Sequence, residues 1–174
     1  TYLLSEAVAP SGFFINTDVL GWRITDSTTG WHIIGTNEPQ AQVTSKEAPV
    51  QGNFDLQKLD TELGISTAQG DATLEGAVYT VRNVSAHTVH VGGASYASGA
   101  DVLTVTTDEH GWAELAARGL PYGDYEIRET QAPVGYMPSD QVVRFSIAND
   151  GAVVHTGTWP EQVIRGGVPM TKLD

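Results

Sequence analysis

A chain of 174 residues with 40% hydrophobic residues, 8% aromatic residues and 19 glycines suits one or two small β domains. Its net charge of −12 argues against nucleic acid or an anionic membrane as a partner, since both select basic surfaces. Having no cysteine, the chain has no disulfide staples, thiol catalysis or zinc-thiolate sites; if it is secreted, a large core or another covalent crosslink has to replace the staples.

In chain order, the first feature is a repeat. Tyr2 to Phe13 aligns with Tyr125 to Tyr136, and the match continues through Trp22-Arg23-Ile24 beside Arg144-Phe145-Ser146-Ile147. Gly35-Thr36-Asn37-Glu38-Pro39-Gln40 then runs parallel to Gly157-Thr158-Trp159-Pro160-Glu161-Gln162, which sets Trp159 against Asn37. Val50-Gln51-Gly52 leads to Lys58 as Ile164-Arg165-Gly166 leads to Lys172. The expected organisation is the later part of one repeat at 1–50, a complete repeat at 51–166 and the first strand of another at 167–174. Residues 1–46 would then lack half of a sandwich, and should be less stable than the rest or lean on a neighbouring chain through exposed strand edges.

Within Phe54 to Asp60, strand alternation sends Phe54, Leu56 and Lys58 to one face. The chain has three lysines, Lys46, Lys58 and Lys172, and two of them sit in the same tripeptide, Lys-Leu-Asp. A lysine at a strand end ordinarily lays its stem along the core with the ammonium in water. Val102 to Thr107 and Val142 to Ile147 read as strands between Gly, Asp and Pro turns. Ala113 to Arg118 is either a short helix or a connecting loop. Tyr125, Ile127 and Glu129 share a strand face, and a carboxylate in line with Tyr and Ile must be paired or neutral. Lys58 is the expected partner, and Pro133-Val134-Gly135 ends the strand.

Other polar groups have plainer readings. His87 and His90 alternate to opposite faces with no acidic ligand beside them, so no metal is expected, and no cofactor. Asn83-Val84-Ser85 fits a glycosylation acceptor pattern that is common by chance. Asp108 to Gly111 supplies what a hairpin turn requires. Trp22, Trp31, Trp112 and Trp159 are expected in the core or at junctions, the alternative being a sugar-stacking face.

Four ordered pieces carry a family resemblance: Lys58 to Asp60, Leu74 to Val81, the Thr106 to Gly111 turn, and Leu120 to Tyr136, whose Glu129-Thr130-Gln131-Ala132-Pro133-Val134-Gly135-Tyr136 forms an E-box. Together they resemble the CnaB or SpaA-type repeats of Gram-positive surface proteins and pilins. The resemblance implies an all-β fold, a prealbumin-like, Ig-like sandwich in tandem repeat. It also implies a spontaneous isopeptide bond between the first-strand lysine and an Asn or Asp of the last strand, assisted by the E-box acid. Burial favours the neutral, nucleophilic amine, the acid shuttles protons, and folding supplies proximity.

By that pattern Lys58 is the candidate nucleophile and Glu129 the candidate acid. In the first unit Glu6 is the matching acid and Asn37 the candidate electrophile, although Asn37 before Pro39 also suits a plain turn; Lys172 would be the nucleophile of a following repeat. The sequence departs from the pattern between Gly151 and Leu173, where there is no Asn or Asp and Glu161 is the one carboxyl. The favoured reading is a noncovalent Lys58–Glu129 pair shielded by Trp159, with a crosslink through Asn149 or Asp150 as the alternative.

The expected function is a non-enzymatic stalk or spacer of a cell-wall-anchored, extracellular surface protein of a Gram-positive bacterium, with adjacent repeats as partners. The other reading is a binding module that grips a host protein or glycan through Ser85 to Gly99, since loops on rigid scaffolds often carry binding. No Ser-His-Asp set or close pair of exposed acids supports a hydrolase. Neither a signal peptide, a membrane span nor a sorting motif is seen, which under this reading marks a fragment.

Overall fold

The computed structural model describes residues 2–25, 28–33, 45–115 and 118–172. It divides into two units, Thr1–Val50 and Gln51–Asp174.

The second unit is a sandwich of two four-stranded sheets. Its strands are β4 (Gln51–Asp60), β5 (Val78–Asn83), β6 (Val89–Val91), β7 (Ala94–Tyr96), β8 (Asp101–Thr106), β9 (Trp112–Glu114), β10 (Leu120–Pro121), β11 (Gly123–Gln131), β12 (Val142–Ile147) and β13 (Val153–Glu161). One sheet runs β10-β4-β13, with β9 also on β4; the other runs β12-β11-β5-β8. The pairing that matters most is β4 with β13, which is parallel, so the first and last strands of the unit lie side by side and point the same way.

Alternation fills the space between the sheets, as expected. Phe54 and Leu56 of β4 are buried with Tyr79, Val81, Tyr125, Ile127, Phe145, Ile147 and Trp159. Phe145 packs on Phe54 at 5.2 Å and on Tyr125 at 5.6 Å between ring centroids. Each such side chain contributes about 1.5–3 kcal/mol through its burial.

Three local expectations resolve here. Trp112–Glu114 is a strand, Leu115 is coil, and Arg118 takes a left-handed φ of 59°, so Ala113 to Arg118 does not start a helix. The segment Ser85 to Gly99 contains the hairpin β6–β7, turned at Gly92 and Gly93 with φ of 58° and 83°, where glycine carries no Cβ penalty. Asn83 is fully buried and structural: its amide donates to the carbonyls of His87 and Tyr96, and its carbonyl accepts from the Ser85 amide.

The first unit holds β1 (Tyr2–Ser5), β2 (Val19–Thr25) and β3 (Thr28–Ile33), an antiparallel sheet in that order. Every residue of β1 is exposed, Leu3 and Leu4 included. Asn37 lies outside the described residues.

Candidate functional site

The inward positions of β4 continue through Lys58 to Asp60, and both residues are fully buried. From the facing sheet, β11 presents Glu129 at a β-bulge where pairing with β5 shifts between Glu129 and Gln131. The bulge re-aims the chain at the end of the strand. One Glu129 oxygen lies 2.5 Å from Lys58 Nζ, and the other accepts the Ser139 amide at 2.7 Å. Lys58 Nζ also donates to the Tyr79 hydroxyl at 2.9 Å. Burial, with Glu129 and Glu161 nearby, pushes the Tyr79 phenol far up, so it stays neutral.

The expected Lys58–Glu129 pair is present, but it is not a pair. Glu161, two residues beyond Trp159 on β13, lies 2.6 Å from Lys58 Nζ, and the side chains of all three residues are at most 1% exposed. Neither Glu161 oxygen stands in hydrogen-bonding geometry to a donor. Burial raises the Glu161 carboxyl, Lys58 opposes the rise and Glu129 adds to it. One ammonium therefore faces two carboxyls in a dry space, where a net negative charge is costly, and burial shifts Glu161 toward its protonated form. Trp159 is the register partner of Lys58, fully buried, with its ring edge-on to Tyr79 at 4.9 Å.

Asn149 and Asp150 are excluded as partners of Lys58. They sit in the turn before β13, where Asp150 accepts the Gln51 amide and pairs with Arg118 at 2.7 Å. Gln51 opens β4, at the far end of the strand from Lys58.

Asp60 closes the site below Lys58. Its carboxylate accepts from the amides of Glu62 and Leu63, from the Gln69 amide group and from the Tyr136 hydroxyl at 2.8 Å. Gly135 makes this approach possible: its φ is 87°, and a Cβ there would lie 2.5 Å from that of Ala72. Burial alone would raise Asp60, but the bonds from Leu63, Tyr136, Gln69 and Glu62 outweigh it and hold the group low. The stability this confers is complete above the unfolded value, about 4, and is lost as pH falls through the lower folded value. Asp60→Asn is expected to cost about 2–4 kcal/mol at pH 7, and the gap to the native chain should narrow below about pH 4, as read by urea unfolding at both pH values.

The first unit repeats part of this geometry. Glu6 accepts the Asn16 amide at 2.5 Å, ten residues on, as Glu129 does that of Ser139. Phe14 donates to the Ala48 carbonyl as Met137 does to that of Gln162, and Val50 donates to Gly12 as Ile164 does to Gly135. This register corrects the expected alignment at the unit's end: Glu47, one residue before Ala48, stands where Glu161 does, and Ser45 takes the place of Trp159. The segment from Phe14 to Ala48 is longer than that from Met137 to Gln162, and Asn37 within it lies outside the described residues. Lys172 lies in the exposed segment after β13.

Comparison with known proteins places the fold. Over 94% of its length the chain superimposes on the Bacillus anthracis TIE protein with a TM-score of 0.60 and 24% identity. Over 67% it matches BcpA, the major pilin subunit of Bacillus cereus, with a TM-score of 0.48 and 22% identity. It spans 25% and 31% of those two chains, and at 24% identity the likeness to the first is one of fold. No curated protein sequence matches the chain. The profile of the SpaA prealbumin-like fold domain matches residues 52–159, and the chain belongs to that family.

Proposed function

We propose that the chain is a piece of the shaft of a Gram-positive cell-surface protein, a spacer between adjacent repeats, in which Lys58 and Glu161 become joined by an amide. The observation that carries this reading is the convergence of Lys58, Glu129 and Glu161 between two parallel terminal strands. Tension enters at the start of β4 and leaves at the end of β13, so it loads their pairing in shear, across all of its hydrogen bonds at once. A Lys58–Glu161 link would pass that tension from strand to strand and leave the rest of the sandwich out of the path.

The chemistry balances without a cofactor. Lys58 gives one proton to the Glu129 carboxylate, and the freed amine attacks Cδ of protonated Glu161. A second amine proton, relayed by Glu129, joins the departing hydroxyl, and water leaves. The amide and a protonated Glu129 remain, so two neutral groups replace a buried ion pair and an acid. Removing two buried charges favours the product, and fixed proximity supplies the rate.

Single-molecule pulling on the chain between handles tests the reading. Native chain should show no lengthening from residues 59–160, and Lys58→Ala should restore it. A full-length extension step from the native chain would contradict the proposal.

A further inference from the structure

Lys58 Nζ lies 2.5 Å from a Glu129 oxygen, 2.6 Å from a Glu161 oxygen and 2.9 Å from the Tyr79 hydroxyl. An ammonium has three N–H bonds besides its bond to Cε, so each of these neighbours stands along one of them. When one proton leaves, a lone pair takes one of the three directions, and it is productive only when it faces Glu161. The two remaining N–H bonds must then find acceptors elsewhere, and Glu129 supplies one.

Tyr79 is placed to supply the other. It lies on β5 as the register partner of Glu129 on β11 and of Val105 on β8, so its strand is held on both sides. The residue is fully buried. Its ring centroid is 5.2 Å from Nζ, and the Trp159 ring meets it edge-on at 4.9 Å, which fixes where the hydroxyl sits. Burial first, then Glu129 and Glu161, pushes the phenol far up, so the hydroxyl keeps its own proton. Its oxygen accepts a hydrogen bond from nitrogen without becoming a proton carrier.

We infer that Tyr79 is a catalytic residue of the Lys58–Glu161 link: its oxygen holds one N–H of the amine and so turns the lone pair onto Cδ of Glu161. This role rests on Lys58 and Glu161 becoming joined as described above. Of the three ammonium protons, one passes to Glu129, a second is relayed by Glu129 to the departing hydroxyl, and the third, held by Tyr79, stays as the amide N–H. Tyr79 neither gains nor loses a proton. Without its hydroxyl, Glu129 and Glu161 are the acceptors that remain at Nζ among the described residues. The N–H bonds then settle on those two acids, and the lone pair points at the bare ring.

Tyr79→Phe removes the hydroxyl and keeps the ring. Chain 1–174 is translated in a short cell-free pulse; protease resistance of timed samples reads folding, and intact mass reads closure as the loss of one water. Tyr79→Phe should become resistant as fast as the native chain and lose water about tenfold more slowly or slower still. Val81→Ala loosens the same buried strand but leaves all three groups at Nζ, and once folded it should lose water at the native rate. Closure of Tyr79→Phe at the native rate, or an equal slowing in Val81→Ala, would overturn the role of Tyr79 and leave the amide standing. A native chain that folds and never loses water would remove the Lys58–Glu161 link and this role with it.

Discussion

Replacing Lys58 with Met is expected to destabilise the second unit strongly. With the proposed link closed, the join between residues 58 and 161 is lost, and closing a loop on the order of 100 residues contributes about 4–5 kcal/mol by the chain-entropy argument used for disulfides. With it open, Glu129 and Glu161 are left buried without a cation, which costs about 3–5 kcal/mol when one member of a buried pair is removed. Either way the melting temperature of the Met variant should fall by about 10 °C or more, given about 3–6 °C per kcal/mol at this domain size. Changing all three residues together, Lys58→Met with Glu129→Leu and Glu161→Leu, should recover part of the loss, because no charge is then stranded. Calorimetry on the two variants separates the electrostatic part from the link.

Trp159→Ala carries the second large effect. Its ring is fully buried beside Lys58, and truncation of a buried Trp costs about 3–5 kcal/mol. Beyond the cavity, the change admits water to the ammonium and both carboxyls. Water stabilises the charged forms and removes the advantage of the neutral amide, so the variant should be slow or unable to close the link even where it remains folded. A folded Trp159→Ala chain that closes the link as fast as the native one would show that the ring only fills space.

Much of this was legible in the residues. Alternation places Phe54, Leu56 and Lys58 inward because β4 is regular through all ten of its residues, and the same rule aligns Tyr125, Ile127 and Glu129 on β11. Asp60 continues that inward row, and the row itself was the available signal for its burial. Glu161 is different. Pairing of β13 with β4 slips between His155 and Thr158, at Gly157 with its φ of 93°, so the buried positions run Thr156, then Trp159 and Glu161. Counting by twos from Val154 or Thr156 sends Trp159 and Glu161 outward, and no residue pattern announces a one-residue slip before it happens. Glu47 in the first unit was hidden for another reason: its equivalence to Glu161 rests on backbone hydrogen bonds and not on residue identity.

Intact mass of the fully denatured chain tests the Lys58–Glu161 amide directly. The native chain should be lighter than its sequence by one water, and Lys58→Ala, Glu129→Ala and Glu161→Ala should each show their full calculated mass. In Glu161→Gln the same final mass should appear through loss of ammonia. A native chain at its full calculated mass would contradict the amide and leave Lys58, Glu129 and Glu161 as a buried ionic cluster.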